Sequence, residues 1–246
     1  MANFCVILAA AGKSSRFNDA HFKKPFAILS GKAVWLHSAE LFLKRTDVKQ
    51  LILVIASEDR VEFTEKFGAN IAIHGIDVVM GGAERSDSVQ NALDKVGNDI
   101  DYVAIHDAAR PCINDTLVDD VFAAGVKHDV AVPTVAVHST LKRSADGQFV
   151  DQTVDRSNLY LSQTPQVFSK SLLEKMFAER GDAQPTDEAQ LAEQQGHSVA
   201  MVDGSRLNIK ITTRDDLRLA ATFLKALPTP KFDAPIHPFK DDHLWR

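Results

Sequence analysis

At 246 residues with 45% apolar side chains, the chain can bury a full core, as one large α/β domain or as two smaller ones. A formal charge of −5 and a pI near 6.0 exclude an overall basic field for nucleic acid and leave room only for a local basic pocket, so a small anionic substrate is the simpler partner. Two cysteines, Cys5 and Cys112, do not make a disulfide framework and fit a reduced, cytoplasmic protein, and no stretch approaches the ~20 apolar residues that span a bilayer.

The apolar run at 4–11 ends in Ala9-Ala10-Ala11-Gly12; no basic segment precedes it and it is short for a secretory core, so it reads as a buried first strand. Further apolar runs at 50–57, 77–80, 102–106 and 130–135 alternate with amphipathic stretches at 33–44, 59–67, 85–96 and 116–127. That rhythm predicts an α/β fold, a largely parallel sheet between two layers of helices. In the third amphipathic stretch Val89, Ala92, Leu93 and Val96 recur at helical spacing, with Asp87, Gln90, Asn91 and Asp94 on the opposite face. After Val135 the pattern turns polar and β-prone. An Asp146-Gly147 turn between runs at 140–143 and 148–154 predicts a hairpin or arm projecting from the sheet. Helices return at 170–179, 186–195 and 214–227, and the Pro-rich stretch 228–246 reads as an irregular tail.

Three strand ends carry chemistry. The first runs through Gly12 to Arg16, Lys23 and Lys24; small residues there let backbone N–H groups approach an anion, although a solvated basic loop has the same composition. It is no P-loop, because the first glycine of that motif would fall at Ile7, and there is no G-x-G-x-x-G. The second, Gly81-Gly82-Ala83-Glu84-Arg85-Ser86-Asp87-Ser88, pairs glycines that allow close approach of a flat base with residues that also suit an ordinary helix cap. At the third, His106-Asp107-Ala108-Ala109-Arg110-Pro111, Asp107 suits a divalent metal or a ribose hydroxyl and the Arg110 fork suits phosphate. No further ligands at fixed spacing support a transition-metal site, and magnesium on nucleotide phosphates fits better.

Taken in order, Ala10-Ala11-Gly12 with Arg16, Lys24, Gly81-Gly82 with Glu84-Arg85 and Asp87-Ser88, His106 to Pro111, Val154-Asp155-Arg156, Thr164-Pro165-Gln166, Thr186-Asp187-Glu188-Ala189 and Asn208-Ile209-Lys210 resemble the 2-C-methyl-D-erythritol 4-phosphate cytidylyltransferases of non-mevalonate isoprenoid synthesis. The resemblance implies a Rossmann-like nucleotidyltransferase fold, with 1–227 as a single domain, a β-arm at about 136–158, and 228–246 as a tail without counterpart. It implies transfer of CMP from CTP to methylerythritol phosphate with magnesium, and a homodimer joined through the arm. On matching positions, Arg16, Lys24, Arg156 and Lys210 are the expected catalytic residues. Ala10, Ala11, Gly12, Gly82, Ser88 and Asp107 would bind the nucleotide. Asp107, Arg110, Thr140, Arg156, Thr164, Thr186 and Lys210 would bind the acceptor, Thr140 and Arg156 reaching a neighbour's site. Ser14, Phe17 and Ala83 depart from the family's usual residues.

A ribitol 5-phosphate cytidylyltransferase, differing only in the acceptor pocket, and a catalytically silent nucleotide-binding module are the competing readings. The second would more naturally have lost Arg16, Lys24 or Lys210, and all three are present. A dinucleotide oxidoreductase is disfavoured by the missing glycine fingerprint.

Overall fold

The structure, a computed structural model, describes residues 2–12 and 26–227. In chain order the first half comprises β1 (Phe4–Ala9), β2 (Ile28–Leu29), β3 (Lys32–Ala33), α1 (Val34–Leu43), β4 (Val48–Ile55), α2 (Arg60–His74), β5 (Asp77–Met80), α3 (Arg85–Leu93) and β6 (Tyr102–Asp107). The second half comprises α4 (Asp115–His128), β7 (Val130–Ala136), β8 (Leu141–Arg143), β9 (Gln152–Val154), β10 (Tyr160–Ser162), β11 (Gln166–Ser169), α5 (Lys170–Ala178), α6 (Glu188–Gln194), β12 (Ala200–Asp203) and α7 (Arg214–Ala226).

Strands β5, β4, β1 and β6 lie side by side in parallel. Beyond β6 the sheet is interrupted by β11, which runs antiparallel to β6 on one side and to β7 on the other, and β12 closes the far side parallel to β7. β10 precedes β11 along the same edge of β7, with Tyr160 opposite Ala136. Period-two alternation sorts the side chains. Phe4, Val6 and Leu8 of β1 join the core beneath α1, α2 and α4, whereas Cys5 and Ile7 join the core beneath α3, α5 and α6. Burial on both faces explains why the central strands read as continuous apolar runs.

The arm is present as a two-stranded ribbon, β8 with β9, separate from the main sheet. Its turn is held by Asp146, whose Oδ1 accepts from Gln148 N at 2.8 Å and Phe149 N at 3.0 Å, with Gly147 at φ 72°.

Three expectations shift. α2 does not stop near Phe67 but runs through Gly68 to His74, and the stop is Gly75, left-handed at φ 61°. α3 ends at Leu93, short of Val96. Strands β10, β11 and β12 were not legible, since each is only three or four residues long and ends on a polar residue, although Val167 and Phe168 of β11 are fully buried. The expected tail, 228–246, lies outside the described residues.

Candidate active site

The carboxyl ends of β1, β5 and β6 lie together, as expected for ligand binding in an open α/β sheet. Ala10 continues β1 by donating to Val54 O at 2.8 Å, and Ala108 N donates to Ala9 O at 3.1 Å. Gly81 donates to Ile55 O at 2.8 Å, and a Cβ there would stand 2.6 Å from the Ala11 Cβ and 2.8 Å from Ser88 Oγ. A Cβ on Gly82 would stand 2.4 Å from that of Asp87. The paired glycines are thus required by packing between β1, the loop and α3, whether or not a base lies against them. Ser88 Oγ accepts from Gly82 N at 3.1 Å and donates to Glu84 O at 3.0 Å, which locks the loop's curvature. Glu84 and Asp87 form a reciprocal capping box at the start of α3.

Asp107 is the electrostatic centre. Its Oδ2 receives Lys210 Nζ at 2.9 Å and Arg110 Nε at 3.3 Å. Burial alone would raise its pKa, but the charges of Lys210, Arg85 and Arg110 outweigh burial and hold the carboxyl well below the usual carboxylate range. Arg110 is further fixed by donating Nη1 to Asn208 O at 2.8 Å. Asn208, itself fully buried, donates to Thr164 O at 2.9 Å.

Beneath Asp107 a buried network has a determinate proton arrangement. His106 Nε2 lies 3.2 Å from Arg110 O, and a carbonyl only accepts, so Nε2 carries the hydrogen. Burial pushes the His106 pKa down to about 4, so at neutral pH Nδ1 is a bare acceptor. Thr164 Oγ1, 3.1 Å away, therefore donates to Nδ1 and accepts Asp107 N–H at 3.0 Å. Continuing the β11–β6 register, in which Gln166 faces Ile105, places Thr164 opposite Asp107. The threonine hydroxyl thus replaces the ladder bond at the end of β6. The Thr164–Pro165 peptide is cis.

The third wall is the start of α6. Asp187 caps it, accepting from Gln190 N at 2.9 Å, while its other oxygen receives Gln166 Nε2 at 2.8 Å and Ser162 Oγ at 3.2 Å. Glu188 is buried and paired with Arg85 Nη1 at 2.5 Å. Burial opposes the Arg85 charge, yet Glu188 and Asp107 raise its pKa further.

Of the expected site residues, Ala10, Ala11, Gly12, Gly82, Asp107, Arg110, Thr164 and Lys210 fall at strand ends or in loops, Ser88 lies in the first turn of α3, and Thr186 directly precedes the Asp187 cap. Thr186 spends its hydroxyl on Gln190 Oε1 at 3.2 Å. Thr140 and Arg156 are exposed on the arm, where Arg156 Nη1 donates to His138 O. Arg16 and Lys24 lie outside the described residues. Sequence reasoning did not assign roles to His106, Arg85, Glu188 and Asn208; their motifs were noticed, but tertiary partners gave them their parts.

For magnesium, no group of three His, Cys, Asp or Glu side chains suited to a metal occurs among the described residues, and the Asp107 Oδ2 is already engaged by two cations. That donor set suits a magnesium carried on nucleotide phosphates rather than a protein cage.

Comparison with known proteins places this geometry. Residues 4–226 match the family model described as 2-C-methyl-D-erythritol 4-phosphate cytidylyltransferase. A protein of that name from Rhodopirellula baltica is 39% identical, the alignment covering 91% of this chain and 95% of the relative. One from Endomicrobium trichonymphae is 41% identical over 89% of this chain and 98% of its own. The crystal structure of the Francisella tularensis enzyme of the same name superposes with a TM-score of 0.73 at 29% identity, covering 91% of this chain and 100% of that one. A 4-diphosphocytidyl-2C-methyl-D-erythritol synthase from Anaerococcus prevotii superposes at 0.75 with 26% identity, over 91% and 96%. The chain therefore belongs to the 2-C-methyl-D-erythritol 4-phosphate cytidylyltransferase family, a family of nucleotidyltransferases.

Proposed function

We infer that the protein transfers CMP from CTP to 2-C-methyl-D-erythritol 4-phosphate, releasing pyrophosphate. The observation that carries the reading is a family match spanning residues 4–226 whose strand ends converge on Asp107, Lys210 and Arg110.

The acceptor's phosphate oxygen attacks the α-phosphorus of CTP, forming the new P–O bond as the bond to the β-phosphate's bridging oxygen breaks and pyrophosphate leaves with those electrons. Such a transfer needs positioning and charge neutralisation rather than a nucleophilic side chain. The Gly81–Ser88 loop and Ala10-Ala11-Gly12 receive the nucleoside. Lys210, whose side chain is 46% exposed, swings from Asp107 onto the acceptor phosphate while Arg110 stays tethered beside it. Asp107 then faces the acceptor's hydroxyls or the ribose, and Thr186 frames the acceptor. Arg16 and Lys24 supply charge for the transferring and leaving phosphates. Magnesium, if it accompanied the nucleotide, would offset the charge of the CTP phosphates, with Asp107 the site carboxylate that could help hold it.

Thr140 and Arg156 act from the arm of a second subunit. Support for a dimer comes from apolar side chains left in solvent along the arm and its root, namely Phe149, Val150, Leu159, Tyr160 and Leu161. Among the described residues no helix is long and apolar enough to cross a membrane.

The test is pyrophosphate release with CTP and magnesium, comparing methylerythritol phosphate, ribitol phosphate and no acceptor. Release with methylerythritol phosphate alone is expected. Release with ribitol phosphate alone moves the pathway but keeps the chemistry, and silence with both despite CTP binding leaves a regulatory module.

A further inference from the structure

We propose that Arg85 and Glu188 are a positioning pair that couples nucleotide occupancy to acceptor affinity, by bolting the first turn of α3 to the segment that opens α6. The proposal rests on the cytidylyl-transfer reading.

Three consecutive residues of α3 reach across to the same stretch of chain. Arg85 Nη1 pairs with Glu188 Oε1 at 2.5 Å, Ser86 Oγ lies 2.9 Å from Gln184 Oε1, and Asp87 Oδ1 receives Arg180 Nη2 at 2.8 Å. α3 emerges directly from the Gly81-Gly82 loop, and its first turn is stiffened by the capping box and by the Ser88 hydroxyl. The opposite end of the connection carries Thr186 and is fastened to the sheet on its far side, where Gln166 Oε1 accepts Ala189 N at 3.0 Å and Gln166 Nε2 donates to Asp187 at 2.8 Å. A displacement of the loop's helix is thus passed to the acceptor wall without slack.

Stability does not explain the choice. Glu188 is 1% exposed, and its Oε2 is buried with no hydrogen-bond partner among the described residues. An ion pair with one member enclosed and the other, Arg85, partly exposed is not by itself a strong source of stability. What the charged pair adds is direction, since the Arg85 guanidinium is held by Glu188 and its charge also acts on Asp107, the residue proposed to be shared by the two substrate subsites. A nucleotide that settles the loop settles Arg85, and with it Glu188 and the acceptor wall, so the ordering cost of the second ligand is partly met by the first.

The experiment measures methylerythritol phosphate binding by calorimetry, with and without a CTP analogue whose α,β-bridging oxygen is methylene. In the wild-type protein the nucleotide is expected to tighten acceptor binding by ~5-fold or more. In the Arg85→Met/Glu188→Met double variant, checked for an unchanged thermal transition, the analogue still binds but the gain falls to within about twofold. Arg85→Lys, which keeps the charge and loses the fork, gives an intermediate gain and serves if the double variant does not fold. A wild-type protein without any gain, or variants that keep the full gain, overturn the proposal while turnover by the wild type keeps the function reading. A wild type with no turnover sinks that reading and this proposal together.

Discussion

Around Asp107 the two neighbouring cations differ in freedom. Arg110 is tied at both ends, to Asp107 and to Asn208 O, whereas Lys210 makes one ion pair among the described residues and keeps nearly half its side chain in solvent. Removing Lys210 should therefore weaken capture of a phosphate-bearing acceptor more than it disturbs the site. Lys210→Ala is expected to raise the acceptor KM ~10-fold or more with a smaller change in the KM for CTP, and steady-state kinetics with each substrate varied decides it. His106 makes a prediction about pH. Burial holds its pKa at about 4 against an ordinary 6.5, so between those values the unfolded chain takes up a proton that the folded chain refuses. Stability should rise with pH across that window, be fully present above it, and be lost as the pH falls toward 4. Urea midpoints from acid to neutral pH should climb more steeply for the wild type than for His106→Phe; parallel curves would show that His106 does not titrate as its burial demands.

Among the elements, α4 sits so close to β11 that a Cβ on Gly125 would stand 2.3 Å from Val167 Cγ1 and 2.9 Å from its Cβ. Val167 is buried, and no turn about its χ1 moves the Cβ that stands 2.9 Å away. Gly125→Ala should cost ~1–3 kcal/mol of stability through overpacking, despite the better helix propensity of alanine. Adding Val167→Ala should recover part of that loss, a non-additivity read from denaturation of the single and double variants. This contact also shows where sequence reading fails. The glycine inside an amphipathic helix gave no hint that a strand lay against it, and β11 itself hid behind Gln166 and Ser169. The apolar runs of β1, β4 and β6 were legible because burial on both faces leaves no polar residue to interrupt them. The strand-end motifs were legible as motifs. Their internal division of labour was not, since Thr164, Thr186 and Ser88 read alike as site hydroxyls, while the fold turns the first toward His106, the second toward Gln190 and the third into its own loop.

At the scale of the whole molecule, the segment between β7 and β10 leaves and rejoins the sheet at one point, because Tyr160 stands opposite Ala136. A short turn replacing 137–159 would therefore preserve the register of β7 with β10. The prediction is a chain that folds with near-wild-type secondary structure, sediments as a monomer, and loses most transferase activity through the absence of Thr140 and Arg156. A dimer in sedimentation would move the interface away from the arm.

The antiparallel strand in the middle of the sheet has a consequence for biosynthesis. β6 and β7 are both complete by residue 136, but the strand that joins them is not made until residues 166–169, after the whole arm has been translated. A nascent chain thus holds two strands with bare inner edges until β11 arrives, a state open to mispairing with other chains. Translation stalled between the arm and β11 is the interval in which this protein most needs a chaperone.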